Sequence, residues 1–128
     1  MPDQATEARA FAEANGTLYV FDQDQLPFKA ARLFFVRAPQ GAVRGKHAHK
    51  VGHQFLTVVA GRVRVTMIEV SGARTSLELG IGQGVHLPPR VWATQEFIGS
   101  DSVLLVLCDL PYEEGDYVRD EDEFLLMT

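Results

Sequence analysis

Residues 41–61 read GAVRGKHAHKVGHQFLTVVAG. Three of the four histidines stand in this stretch: His47 and His49 as one H-x-H, and His53 a few positions on, with Arg44 three residues upstream of the pair. The run QFLTVV that follows has the β-branched and aromatic content of a strand. Residues two apart in a strand point to the same side, so His47 and His49 are expected to present both imidazoles to one face. If that face lines a barrel, two groups that titrate near neutral pH meet at one point of a cavity.

On either side of this stretch the chain alternates short apolar runs with turn residues. Upstream lie TLYVF (17–21), the turn-like DQDQLP, where Pro27 bars a strand interior, and RLFFVR (32–37). Downstream, Ala60-Gly61-Arg62 reads as a hairpin turn, and RVRVTMIEV (62–70) alternates charged with apolar residues, as a strand with one wet face does. TSLEL (75–79), VHL (85–87), VWATQEFI (91–98) and VLLVL (103–107) follow, separated by SGAR, GIGQG, PPR and GSDS. About nine short strands at this spacing, with no helical pattern between residues 17 and 110, predict a single all-β domain, a sandwich or barrel, over 17–128. Residues 1–16 are rich in Ala and Glu and end at Asn15-Gly16, which reads as a short helix with its stop, or as a loosely ordered tail. The closing stretch YEEGDYVRDEDEFLLM is acidic, as a solvated tail would be, yet its Tyr, Val, Phe and Leu suggest a segment that docks on the barrel.

Composition narrows the function. The chain has 128 residues, 46% of them hydrophobic and 23% charged, with a net charge of −5. A general nucleic-acid or anionic-membrane binder draws its affinity from Lys and Arg on phosphate, so neither partner is expected; a small phosphorylated ligand needs only a few local arginines. The one cysteine, Cys108, excludes an internal disulfide, fits a reducing cytoplasm and, in SVLLVLCDL, reads as a packed thiol. The run from Val103 to Cys108 is too short to span a bilayer, and no signal-peptide pattern opens the chain. A cytoplasmic protein is the expectation.

Gly41, five residues, His47-x-His49, three residues, His53 and then Gly61 resemble the first motif of the cupin superfamily, with His53 where its glutamate stands. Gly82 and Pro88 follow the second motif, with Ala93 where its histidine stands. From about residue 26 onward the chain more closely resembles one cupin subfamily, the nucleotide-sugar 3,4-ketoisomerases. The shared features are the strand Arg32-Leu33-Phe34-Phe35, the block RG-x-HAHK (44–50), QFL (54–56), the PP-x-VW turn (88–92), the VLLVL strand and the tail Y-x-E-x-DYVRD-x-DEF. Members carry tyrosine on the strand that here holds Phe34-Phe35, an acid at His53, a tyrosine at His86 and a histidine at Ala93.

The resemblance implies a cupin jelly-roll barrel that moves the ketone of dTDP-4-keto-6-deoxyglucose from C4 to C3, in the route to 3-amino-3,6-dideoxyhexoses, as a homodimer. It makes His47 and His49 the catalytic pair, and the chemistry suits imidazole: a proton leaves C3, an enediol forms, and a proton arrives at C4. No metal or other cofactor is needed in principle if donors stabilise the oxyanion. Arg44 and Gln54 are candidates for that role or for gripping the ligand, and Arg32 for the diphosphate. Trp92 is a candidate stacking residue as well as a candidate core aromatic, and His53 a candidate pocket residue. His86 lies inside or outside the barrel according to the parity of Val85 and Leu87. Two other readings stand beside this one: a metal-dependent cupin ligated by His47, His49 and His53, and a sugar-nucleotide-binding cupin without catalysis.

Overall fold

The computed structural model describes residues 4–127. Two five-stranded antiparallel sheets face each other. The first has the order β1 (Thr6–Glu7), β9 (Gln83–Leu87), β6 (Gln54–Ala60), β11 (Val103–Cys108), β4 (Arg32–Arg37). The second runs β12 (Tyr117–Val118), β5 (Val43–His49), β10 (Val91–Phe97), β7 (Val63–Glu69), β8 (Arg74–Leu79). This is the expected all-β jelly-roll barrel. A separate hairpin pairs β2 (Arg9–Glu13) with β3 (Gly16–Val20). The only helices among the described residues are two single 3₁₀ turns and α1 (Glu121–Leu125).

Strand periodicity sets the core. Leu56, Val58, Val63, Val65, Met67, Leu79, Val85, Leu87, Phe97, Leu104 and Val106 form one buried cluster between the sheets, because alternate residues of each strand face the partner sheet. Val85 and Leu87 both belong to it, so His86 faces outward. A second, smaller cluster lies on the outer face of the second sheet: Ala48, Ile68, Trp92, Val118 and Phe124.

Two readings from the sequence need correction. Where a helix or tail is expected over residues 1–16, Thr6–Glu7 pairs with β9 and Arg9–Glu13 pairs with β3; residues 1–3 of that stretch lie outside the described residues. Ala and Glu favour helix only weakly, and a free strand edge offering hydrogen bonds outweighs that preference. The turn at Ala60-Gly61-Arg62 is not a hairpin, since β6 and β7 belong to different sheets. It carries the chain across the sandwich. Gly61 is required there: at φ +74, any Cβ would stand 2.2 Å from the Ser102 hydroxyl, which accepts a hydrogen bond from the Arg62 amide at 3.0 Å.

The acidic C-terminal stretch docks, as its apolar residues suggest. β12 pairs with β5 through Tyr117 opposite His49 and Val118 opposite Ala48. Asp120 then caps α1, its carboxylate accepting from the amides of Asp122 and Glu123, as an N-cap does. One turn later Phe124 reaches full burial beside Trp92, with ring centroids 5.9 Å apart.

Candidate active site

The barrel mouth is framed by β5, β6, the 109–119 segment and the start of β4. A one-residue bulge shapes the key strand. Opposite Ala93 and Thr94 of β10 stand His47 and Gly45, so Lys46 is the extra residue. Gly45 and Lys46 take φ of +84 and +60, and a Cβ on Gly45 would meet the Gln95 amide oxygen at 2.6 Å and the Ala93 carbonyl at 2.9 Å. An uninterrupted strand would put Arg44 on the face of Lys46 and Ala48. Because a bulge shifts that phase, Arg44 and His47 line the same cleft, while Ala48 turns to the outer cluster.

The two histidines stand together as expected, their ring centroids 5.2 Å apart and nearly perpendicular. His49 Nδ1 lies 3.0 Å from Asp116 Oδ2. Since the carboxylate can only accept, Nδ1 carries the hydrogen, and the buried Nε2, which has no hydrogen-bond partner, keeps its lone pair. Asp116 is held firmly, for its two oxygens also accept from the amides of Val51 (2.8 Å) and Gly52 (3.2 Å). Burial works to raise its carboxyl, but those amides and His49 outweigh it and hold it below the ordinary carboxylate range. His47 Nδ1 donates to the Gly45 carbonyl at 3.1 Å, which leaves its Nε2 as an acceptor too.

Burial first, and then the neighbouring His49, push His47 down to about 4, against the pull of the Gly45 carbonyl. Unfolded, the same group titrates at the ordinary 6.5. Its contribution to stability is therefore complete above pH 6.5 and is lost as pH falls toward 4. At 1.36 kcal/mol per unit, the loss between 6.5 and about pH 5 is about 2 kcal/mol. Urea unfolding at those two pH values is expected to show wild type losing about that much more than His47→Gln; equal losses would mean that His47 does not fold as a buried neutral imidazole.

Tyr117 lies against both imidazoles, its ring centroid 4.4 Å from His49 and 4.9 Å from His47. Tyr117 and Gln54 divide the mouth into two clefts that both residues line. The inner one, about 480 Å³, takes in Phe34, Arg44, His47 and Gln95; the outer one, about 240 Å³, takes in Arg32, His49, His53, Cys108, Tyr112 and Asp116. The Arg32 guanidinium sits 4.7 Å over the Phe34 ring and 5.2 Å from that of Tyr112. Its proton is held more tightly than usual, chiefly by donating to the Tyr117 hydroxyl, with burial opposing. Arg119 stacks on the other aromatic surface of the segment, 4.3 Å from the Tyr117 ring, and makes two 2.9 Å bonds to Glu114.

Of the residues singled out in the sequence, His47, His49, Arg44, Gln54, Arg32 and His53 all line one or other cleft. Trp92 does not. It belongs to the outer cluster under α1, because it alternates with Ala93, which faces the core. His53 turns away from the histidine pair and stacks on His86, with Nδ1 2.9 Å from its Nε2 and the planes 16° apart, beside Phe28. A three-imidazole set of His47, His49 and His53 is thus not what the fold builds, and among the described residues no three His, Cys, Asp or Glu side chains gather as a metal ion requires. Cys108 is buried and free, its thiol pushed up chiefly by burial. Asp116 and Tyr117 are the residues that sequence reasoning missed. Their signal was the DYVRD block of the tail, quoted for its resemblance but given no role.

Known proteins share this fold along most of the chain. The chain is 27% identical over 126 residues to the TDP-4-oxo-6-deoxy-alpha-D-glucose-3,4-oxoisomerase of Aneurinibacillus thermoaerophilus, covering 97% of this chain and 91% of that one. Its fold superposes on a mutant of the 3,4-ketoisomerase QdtA from Thermoanaerobacterium thermosaccharolyticum, in complex with TDP-4-keto-6-deoxyglucose, with a TM-score of 0.87, 26% identity and coverage of 95% and 90%. A 3,4-ketoisomerase from Helicobacter canadensis gives 0.86, 26%, 95% and 93%. The family model described as FdtA, WxcM-like, C-terminal matches from residue 3 to residue 128. The chain that builds this barrel and its paired histidines belongs to the FdtA, WxcM-like family.

Proposed function

We propose that the protein is a nucleotide-sugar 3,4-ketoisomerase acting on TDP-4-keto-6-deoxyglucose, by family membership and by similarity to the relatives named above. The observation that carries the reading is the His49–Asp116 pair, an imidazole whose Nε2 lone pair is left free while a fixed carboxylate steadies its other nitrogen. Such a pair suits a base that takes the C3 proton and holds it until C4 is ready, as the carboxylate stabilises the imidazolium that forms. His47 stands beside it as the second imidazole. Charge on His49 disfavours charge on His47. Arg44 and Gln54 hold the sugar, with donors that stabilise the developing oxyanion. Arg32, at the rim with His53, takes the diphosphate, which a planar guanidinium pairs well.

A homodimer is part of this reading. Leu33 and Phe35 are 61% and 65% exposed on β4, and Val59 and Ile81 are about half exposed nearby, an apolar surface of the kind that a second copy covers. The reading also places the protein in the cytoplasm, where Cys108 would remain the free thiol that it is here. No helix among the described residues is long and apolar enough to cross a membrane.

The test is an NMR time course in D2O with TDP-4-keto-6-deoxyglucose and protein stripped of metal. A 3-keto product carrying solvent deuterium at C4 is the expected result. An unchanged substrate, with no exchange at C3, would remove the assignment, and turnover only after a metal ion is restored would redirect it.

A further inference from the structure

The outer cleft is short of positive charge for a diphosphate. In a nucleotide sugar each phosphate of the diphosphate is an ester and stays anionic near neutral pH. Among the described residues lining that cleft stand one guanidinium, Arg32, and three carboxylates, Asp109, Glu113 and Asp116. Arg32 alone does not offset both ligand charges beside those acids. The thiol and phenols of the lining, Cys108, Tyr112 and Tyr117, supply no positive charge. A second cation has to come from His49 or His53, the two imidazoles of the lining. His49 is tied to Asp116 at 3.0 Å and faces the sugar chemistry. That leaves His53.

Its surroundings suit a group that takes up a proton. His53 lines the outer cleft, and His86 on β9 stands behind it, outside the lining. His53 Nδ1 lies 2.9 Å from His86 Nε2, with the ring planes 16° apart. One hydrogen occupies that contact, because two N–H groups would face each other without an acceptor. In this arrangement the pair holds at most one positive charge. Burial first, and then charge on His53, hold His86 below the ordinary imidazole range, with Asp109 opposing. His86 is thus the neutral acceptor and His53 the group that can charge. Asp109 fixes the His53 backbone from both sides: its carboxylate accepts from the His53 amide at 2.7 Å, and its own amide donates to the His53 carbonyl at 3.2 Å. With Nδ1 committed to His86, Nε2 is the nitrogen that His53 offers to a ligand. The Phe28 ring flanks both imidazoles, its centroid 6.2 Å from each.

We propose that His53 and His86 form a proton-sharing pair that takes up one proton as the nucleotide sugar binds, His53 Nε2 donating to a diphosphate oxygen while His86 Nε2 accepts from His53 Nδ1; the proposal rests on the ketoisomerase reading. His53 is then a binding residue. His86, which does not reach the ligand, is a positioning residue. The proton comes from solvent and returns to it on release. The sign of the pH dependence follows, since an anion favours the charged form of its neighbour: affinity is highest in mildly acid solution and falls as pH rises past neutrality.

The test is calorimetric titration with TDP-glucose at pH 7, in two buffers of different ionisation enthalpy. TDP-glucose has the same doubly esterified diphosphate and no terminal phosphate to titrate, so any proton taken up belongs to the protein. Wild type is expected to take up about half a proton or more per ligand and to bind about five- to tenfold more tightly at pH 6 than at pH 8, as a shift of one unit or more by an opposite charge requires. His53→Gln and His86→Phe are expected to lose most of that uptake, with unchanged circular dichroism spectra. His86→Gln, whose amide oxygen can accept from His53 Nδ1, is expected to restore it, which a merely structural role for His86 would not do. If His86→Phe does not fold, His53→Gln and His86→Gln carry the test. Binding by wild type without proton uptake overturns the proposal while the ketoisomerase reading stands. Uptake at the wild-type level in His53→Gln or in His86→Phe also overturns the pair, and in both variants it would assign the proton to the histidines of the inner site. If wild type binds no TDP-glucose, the nucleotide-sugar reading itself fails and the proposal goes with it.

Discussion

Replacing His49 by alanine is expected to lower turnover of TDP-4-keto-6-deoxyglucose by about 10³-fold, in the range by which a positioned acid–base group accelerates proton transfer. The variant should also stop exchanging the C3 hydrogen with solvent, because among the described residues no other imidazole has its second nitrogen steadied by a carboxylate. Asp116→Asn is expected to follow the same direction. Asp116 Oδ1 accepts from Val51, while Oδ2 accepts from both Gly52 and His49. An amide would have to set its NH2 group against one of these donors. If it faces His49, the imidazole is driven to the wrong tautomer, a change that cost a serine protease about 10⁴-fold in kcat. Both variants can be read in one assay, kcat together with deuterium uptake at C3. Exchange that persists at the wild-type rate in His49→Ala would assign the base to His47.

Phe124→Ala is expected to be the most damaging change for the fold. The ring is fully buried against Trp92 on the outer face of the second sheet, and a Phe-to-Ala truncation in such a place costs about 3–5 kcal/mol. Its reach extends beyond stability. α1 and β12 form one docked segment, and β12 is held to β5 through two residue pairs. Tyr117 sits in β12 and Asp116 immediately before it, so loosening the helix loosens the second half of the site. Urea unfolding should report the stability loss. Activity under conditions where the barrel is still folded should also fall, and a milder Phe124→Leu should recover both. Unchanged unfolding in Phe124→Ala would show that the helix contributes nothing to the barrel.

The sequence announced its strands where apolar alternation met turn residues: RLFFVR became β4 without a shift in either boundary, and the H-x-H did place both imidazoles together. What it hid was everything that depends on partners distant in the chain. Asp116 lies 67 positions from His49, within a run so acidic that solvent was its natural reading; only the pairing of β12 with β5 gives it a purpose. Trp92 was ambiguous for a related reason, because strand alternation yields two faces and does not say which is the inside. His86 posed the same question, and burial of Val85 and Leu87 answered it. The Ala- and Glu-rich start was misread because edge pairing is a tertiary event that local propensity does not contain.

The bulge at Lys46 sets a rule about chain length. With Gly45 and Lys46 both in left-handed backbone, one surplus residue decides that Arg44, His47 and Gln54 meet around the same cleft. Delete it, and every side chain from position 47 onward on that strand would exchange inside for outside: Ala48 would enter the barrel, and both imidazoles would press into the cluster around Trp92 and Phe124. Insertions and deletions are therefore tolerable in turns such as residues 70–73 but not within residues 44–49, where the reading frame of the strand and the chemistry of the site are the same thing.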